Sequence, residues 1–150
     1  PPATCRRRTR RYRLHHHRVY TQSIFKSERE MKYIYFNSRD ELIRLPINSI
    51  VYFESDGNYT NVVTINKLRS TIGMNLGDME KALASQLGMV STIFIRIGKR
   101  YIVNRNFIYR LNIQKQVLVL SDLIHFAFQL SISKEALKNM KQLLVENKKQ

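Results

Sequence analysis

The sequence predicts a mainly β protein with two short helices, its antiparallel strands arranged in small sheets. Between residues 31 and 130, apolar and β-branched residues occur in short runs that are separated by Asn, Asp, Gly and Pro. Only two segments have a helical period instead. With 150 residues, of which 43% are hydrophobic, the chain is the size of one domain with a substantial core.

Five strands are predicted before the first helix. Their bounds are Met31–Phe36, Glu41–Leu45, Ser49–Glu54, Tyr59–Ile65 and Leu68–Ile72. Asp56 and Gly57 lie between the third and fourth strands, and this pair predicts a hairpin because Gly adopts the positive φ that tight turns require.

The first helix is predicted from an apolar stripe with Asn75 as its N-cap, Asp78 three residues later and Gly88 at its end. The stripe comprises Leu76, Met79, Leu83 and Leu87. Because these residues follow a helical spacing, we expect them to face the core.

Strands resume after this helix. The predicted ranges are Phe94–Ile97, Tyr101–Asn104, Phe107–Ile113, Gln116–Leu120 and Ile124–Leu130. In Phe107–Ile113 and Ile124–Leu130 every second residue is large and apolar, as in a half-buried antiparallel strand, with His125 on the solvent face. The short connections predict that the last three strands form a meander.

A second helix is predicted at the C-terminus, with Ser133 as its cap. Its period divides the residues into two sets: Leu137, Met140 and Leu144 face inward, while Lys134, Lys138, Lys141 and Lys148 face water.

The charge of the chain is strongly positive, at +15, with 26 basic and 11 acidic residues. Residues 1–22 contain seven Arg and no acid, which leaves 19 basic residues against 11 acidic ones in the rest. Such a surplus favours polyanionic partners. Residues 1–30 are interpreted as a basic disordered tail or linker, and residues 31–147 as the folded domain.

Cysteine content and hydropathy indicate the cellular compartment of the protein. Cys5 is the single cysteine, so no intramolecular disulfide can form, and no apolar run approaches the length of a membrane span. We expect a cytoplasmic protein with no membrane association.

Three ordered blocks resemble the LytTR (LytR/AlgR-type) DNA-binding domain of bacterial response regulators. Ser49–Thr60 is similar to the pattern I-x-Y-[IF]-E-A-x-[GD]-N-Y, and Phe94–Asn104 to F-x-R-[IV]-H-[RK]-S-[YF]-[IL]-V-N. Leu130–Lys134 is similar to L-P-[VI]-S-R before the last helix. The resemblance implies sequence-specific binding of double-stranded DNA by a transcriptional regulator, or by the output domain of a two-component system.

In this family, loops rather than a recognition helix enter successive major grooves. Transferred by position, the resemblance implies DNA contacts from Asn58, Tyr59, Thr60, Asn61, Lys99, Arg100, Ser133 and Lys134. One arrangement expected for such a regulator is a homodimer that binds repeated half-sites in the DNA.

Three departures from the family pattern affect the predicted DNA contacts. Gly98 replaces the usual His and Arg100 the usual Ser, so reading of bases by this loop is expected to fall to Lys99 and Arg100. Lys134 stands where Arg is typical, and because Lys lacks the bidentate fork we expect it to bind phosphate.

An enzyme and a binder of RNA or single-stranded nucleic acid are the two other classes of function that this sequence raises. Glu54 and Asp56 could begin a metal site, but two residues apart on a strand that leads into a turn they are more typical of a cross-strand partner and a turn former. No set of nucleophile, base and orienting residue indicates an enzyme, and no cofactor or metal is expected. A small β domain that binds RNA or single-stranded nucleic acid is the alternative, since bases stack on aromatic rings.

Overall fold

The computed structural model describes residues 32–149, and the predicted tail at residues 1–30 lies outside this range. Within it, twelve strands and α-helices follow one another: β1 Tyr33–Asn37, β2 Leu42–Pro46, β3 Ile50–Asp56, β4 Tyr59–Thr64, β5 Arg69–Ile72, α1 Leu76–Leu87, β6 Phe94–Ile97, β7 Tyr101–Asn104, β8 Ile108–Asn112, β9 Val117–Ser121, β10 Ala127–Ser131 and α2 Lys134–Lys149. Short 3-10 helices at Ile47–Ser49, Gly88–Ile93 and Arg105–Phe107 connect some of them.

The described strands form three antiparallel sheets, which confirms the predicted fold class. The central sheet has the order β5-β4-β3-β7-β6, β1 pairs with β2, and β8, β9 and β10 form the predicted meander. β3 is therefore the middle strand of the central sheet, and β5 and β6 are its edges.

Both faces of the central sheet are covered by other elements. Ile50 and Phe53 of β3 pack in one apolar cluster with α1, β1 and β2, while Val51 and Tyr52 belong to a second cluster with β8, β9, β10 and α2. A bulge near the start of β3 shifts the register between Ile50 and Tyr52, so two consecutive residues enter the same cluster.

Both helices begin and pack as their sequences predict. The Asn75 side chain accepts a hydrogen bond from the Asp78 N–H at 2.8 Å, and α1 ends at Gly88, whose φ is +59°. The Ser133 hydroxyl accepts from the Ala136 N–H at 3.3 Å at the start of α2. The predicted apolar stripe of α1 is buried, as are Leu137 and Met140 of α2, and Leu144 packs against the same cluster.

The β3–β4 hairpin has the predicted tight turn. Asp56 pairs with Tyr59 across a two-residue loop, and Gly57 adopts a φ of +61° at the first loop position.

The last predicted strand, Ile124–Leu130, is wrong at its start, because β10 begins only at Ala127. The Asp122 carboxylate accepts hydrogen bonds from the backbone N–H groups of Ile124, His125 and Phe126 and contacts the His125 ring, which folds this segment into a bend. Ile124 is consequently 81% exposed, and His125 is exposed on the bend rather than on a strand. Desolvation opposes the effect, but these donors hold the pKa of Asp122 well below its ordinary value.

The alternation predicted for Phe107–Ile113 is wrong at one of its four apolar residues. β8 spans Ile108–Asn112, and a bulge between Ile108 and Arg110 breaks its two-residue period. Tyr109, which the alternation placed on the buried face, is 53% exposed.

Candidate nucleic-acid interface

Two of the three predicted DNA-contacting segments meet at one end of the central sheet. β3 and β7 are antiparallel neighbours with Glu54 opposite Tyr101, so the end of β3 lies beside the start of β7. The Ser55 N–H donates to the Arg100 carbonyl at 2.8 Å. The β3–β4 hairpin and the β6–β7 turn are therefore adjacent.

The third segment joins them through the start of α2. A Cβ built on Gly98 would lie 3.9 Å from the Cβ of Ala136. Gly98, Lys99 and Ser133 line a groove of about 630 Å³ between the β6–β7 turn and α2. We refer to residues 58–61, 98–100 and 133–134 together as the loop end.

The predicted residues of the β3–β4 hairpin differ in exposure. Asn58 is exposed and Tyr59 is 55% exposed, whereas Thr60 and Asn61 are buried. The Thr60 hydroxyl donates to the Met74 carbonyl at 2.8 Å and so ties the start of β4 to the segment before α1.

Asn61 is also committed to contacts inside the fold. Its Oδ1 accepts from the Thr71 hydroxyl at 2.7 Å, and its Nδ2 donates to Asp56 Oδ2 at 3.4 Å. Neither Thr60 nor Asn61 presents a free polar side chain at the surface, and both shape the hairpin from within.

The β6–β7 turn presents its cations outward. Gly98 has a φ of +64°, a left-handed conformation that Gly adopts without steric cost. Arg96 supports the turn by donating to the carbonyls of Gly98 at 3.1 Å and Lys99 at 3.2 Å. Lys99 is exposed, and the Arg100 side chain is 65% exposed.

Glu54 has the cross-strand role expected from its position. One carboxylate oxygen accepts from Arg69 on β5, while the other lies 3.6 Å from Arg100 Nη2 and accepts from the Tyr101 hydroxyl at 3.2 Å. Burial, and secondly the Glu54 charge, raise the pKa values of Tyr52 and Tyr101 above 10.0, so both phenols stay protonated at neutral pH. The hydrogen bond to Glu54 raises the pKa of Arg69.

Ser133 and Lys134 form the exposed entry to α2. Ser133 caps the helix, and Lys134 is its first residue. Among residues 32–149, no carboxylate oxygen lies within 4.0 Å of the amino groups of Lys99 or Lys134. Of the cations at the loop end, Arg100 alone is therefore paired with a carboxylate from these residues.

The structure adds cations that the sequence analysis did not identify. The Ile132 N–H donates to the Gln116 carbonyl at 3.0 Å, which brings the β8–β9 turn beside the entry to α2. Its exposed Lys115 has its N–H bound to Asn112 Oδ1 at 2.9 Å. Lys115 follows a strand-ending Asn, a local signal of a turn, but its approach to α2 depends on the long-range fold. Arg69 was missed because it reaches Glu54 only through the pairing of β3, β4 and β5.

Residues 32–149 contain neither a metal-binding cluster nor a membrane-spanning helix. No group of three or more His, Cys, Asp or Glu side chains there could hold a metal ion. None of the helices in that range has the length and apolar character needed to cross a membrane.

Comparison with known proteins identifies the family of this chain. The family model of the LytTr DNA-binding domain matches residues 40–145. A solved structure of similar fold is the LytTr DNA-binding domain of a Bacillus cereus protein assigned as a methyl-accepting/DNA response regulator. It has 22% sequence identity and a TM-score of 0.53, and the match covers 75% of this chain and 95% of that chain. Among curated protein sequences, none is significantly similar. The chain belongs to the LytTR family, and its folded region is a LytTr DNA-binding domain.

Proposed function

We propose that the chain is a cytoplasmic transcriptional regulator, or the output domain of one, that binds duplex DNA sequence-specifically by inserting loops into the major groove. In this proposal it is a binding module rather than an enzyme. The observation that carries the proposal is the convergence of three separate segments at the loop end, where Lys99, Arg100 and Lys134 are exposed.

The exposed cations divide by their chemistry. Arg100 offers a planar guanidinium, which can donate two hydrogen bonds to guanine O6 and N7, and Lys99 beside it can donate to the same edge. Lys134 lies in the first turn of α2, where the helix dipole also favours an anion, so a phosphate contact suits it best. Lys115 extends the positive surface beside the α2 entry.

The β3–β4 hairpin contributes to DNA binding through the residues at its tip. Asn58 and Tyr59 are exposed there and can reach DNA, and an Asn side chain can pair with an adenine edge. We assign Thr60 and Asn61 to positioning this tip, because their polar atoms are bound inside the fold.

The distribution of aromatic residues favours duplex DNA over single strands. Proteins that bind single strands present aromatic rings as a stacking platform. Here the exposed rings Tyr35, Tyr59 and Tyr109 lie on three different sheets, while Tyr52 and Tyr101 are buried. Only Tyr59 is at the loop end, so no such platform forms there.

A titration of the chain with duplex DNA, the matching single strands and an RNA of the same sequence tests the class of partner. We expect the duplex to bind most tightly, with an affinity that falls steeply with salt because phosphate contacts release counterions. Tighter binding of the single strand or the RNA would contradict the proposal in favour of the stacking alternative.

Selection of bound sites from random duplexes tests specificity. We expect an enriched motif, and a motif repeated at about 10–10.5 base pairs would indicate two copies on repeated half-sites. Recovery of no motif, despite tight duplex binding, would reduce the domain to a non-specific DNA binder.

A further inference from the structure

Glu54 is an acidic residue at a surface that we propose binds a polyanion. Its side chain is only 18% exposed, and its carboxylate contacts Arg69 of β5, Arg100 of the β6–β7 turn and Tyr101 of β7. A carboxylate near phosphates opposes DNA binding, so its presence beside the loop end requires a physical reason.

Resting on the proposed function, we infer that Glu54 is a positioning residue that orients Arg100 for base recognition, and that the domain gains discrimination between sequences at the expense of general affinity for DNA.

Two neighbouring groups interact with the Arg100 guanidinium. Glu54 Oε2 lies 3.6 Å from Arg100 Nη2, and the Arg100 guanidinium lies 5.4 Å from the centre of the Tyr101 ring. Tyr101 in turn donates its hydroxyl to the same carboxylate oxygen at 3.2 Å. A long side chain that is oriented before binding loses less conformational freedom when it meets its base.

Arg69 fixes the other side of the carboxylate. It binds Glu54 Oε1 from β5, across the intervening strand β4, so Glu54 is held between two guanidinium groups. Both remain at the surface, with Arg69 50% and Arg100 65% exposed. The cluster keeps a net positive charge towards solvent while the carboxylate limits the directions in which Arg100 can point.

The inference predicts two effects of opposite sign when the Glu54 charge is removed. Affinity for a scrambled duplex should increase, because one repulsive charge is lost. The ratio of affinities for the selected site and a scrambled duplex should decrease, because Arg100 is no longer oriented. A purely structural role for Glu54 would lower both affinities together.

The experiment measures both affinities for the full chain and for Glu54→Gln, with Glu135→Gln as the matched control. Glu135 is an exposed acid in the first turn of α2, so its substitution removes the same charge at the same end of the domain. For Glu54→Gln we expect tighter binding to the scrambled duplex and a loss of about fivefold or more in the ratio. For Glu135→Gln we expect tighter binding to both duplexes and a ratio within about twofold of the original.

A second variant and a coupling measurement exclude misfolding as the cause. Glu54→Asp keeps the charge but shortens the reach to Arg100, so the ratio should fall without a gain in affinity for the scrambled duplex. In an Arg100→Ala background, Glu54→Gln should no longer change the ratio. Circular dichroism establishes that each variant is folded.

The outcomes separate this inference from the proposed function. If the unaltered chain does not prefer its selected site, the proposed function fails and this inference fails with it. If that preference is clear but Glu54→Gln retains the full ratio, or lowers it equally without Arg100, the proposed function stands and the role of Glu54 is refuted.

Discussion

The β3–β4 hairpin and the β6–β7 turn lie side by side at the loop end, yet they use their polar residues in different ways. In the hairpin, Thr60 and Asn61 are buried and bound to Met74, Thr71 and Asp56. In the turn, Lys99 and Arg100 are exposed. A polar residue in a predicted recognition loop can therefore stabilise the shape of the loop instead of contacting DNA.

The sheet order explains the difference. β4 has β3 on one side and β5 on the other, and the segment before α1 lies against its start, so side chains at Thr60 and Asn61 are enclosed. The β6–β7 turn instead joins an edge strand to its single neighbour β7. Fewer neighbours leave its side chains at the surface.

The largest effect should come from truncating the enclosed amide. Asn61→Ala removes the partner of the Thr71 hydroxyl inside the fold, and an unsatisfied buried polar group costs about 1–3 kcal/mol of unfolding free energy. Urea denaturation measures it. Asn58→Ala, at the exposed tip of the same hairpin, is the control and should change stability by less than about 0.5 kcal/mol. Unchanged stability in Asn61→Ala together with altered base preference would show that Asn61 reads DNA.

An effect of similar size, but on DNA preference rather than on stability, is expected in the turn. Lys99→Ala or Arg100→Ala should relax preference at one base pair by about 1–3 kcal/mol. Site selection with each variant measures this, after circular dichroism shows an intact fold. If neither variant alters the selected motif, the turn is an electrostatic anchor, and specificity lies in the hairpin tip or in DNA shape.

A smaller effect should follow from Thr60→Val, which keeps the shape of the side chain. It leaves the Met74 carbonyl without its hydroxyl donor and should lower the unfolding free energy by about 0.5–1.5 kcal/mol. Thermal and urea denaturation report the loss, and the selected motif should stay the same. A new motif in a variant of normal stability would contradict the positioning role of Thr60.

The smallest effect belongs to Lys134, which we assign to a phosphate. Lys134→Ala should weaken selected and scrambled duplexes by the same factor and reduce the slope of log affinity against log salt by about 0.9. Titrations at several salt concentrations give this slope. A loss confined to the selected site would instead assign Lys134 to a base edge.

Features encoded by local patterns could be predicted from the sequence. The α1 stripe, its Asn75 cap, the Ser133 cap and the Gly57 turn each depend on residues a few positions apart, and the structure confirms them. The predicted Ile124–Leu130 strand is wrong only at its start, because the Asp122 side chain accepts hydrogen bonds from the backbone N–H groups there.

Parts of the candidate site could not be predicted because they depend on long-range pairing. Arg69 and Arg100 share Glu54 only because β3 lies between β4 and β7 in the sheet. Lys115 approaches α2 only through the backbone hydrogen bond between Gln116 and Ile132. The burial of Thr60 and Asn61 likewise follows from the neighbours of β4, so residue type alone did not distinguish them from the exposed Asn58.

The most direct measurement compares two double variants in one assay. The ratio of affinities for the selected site and a scrambled duplex is measured for Lys99→Ala with Arg100→Ala, and for Thr60→Val with Asn61→Ala, each corrected for its folded fraction. We expect the exposed turn to read the DNA sequence and the buried hairpin residues only to position the hairpin tip. The first ratio should then fall by about tenfold or more, and the second should stay within about twofold of that of the unaltered chain. A first ratio that stays unchanged while the second collapses would contradict the account.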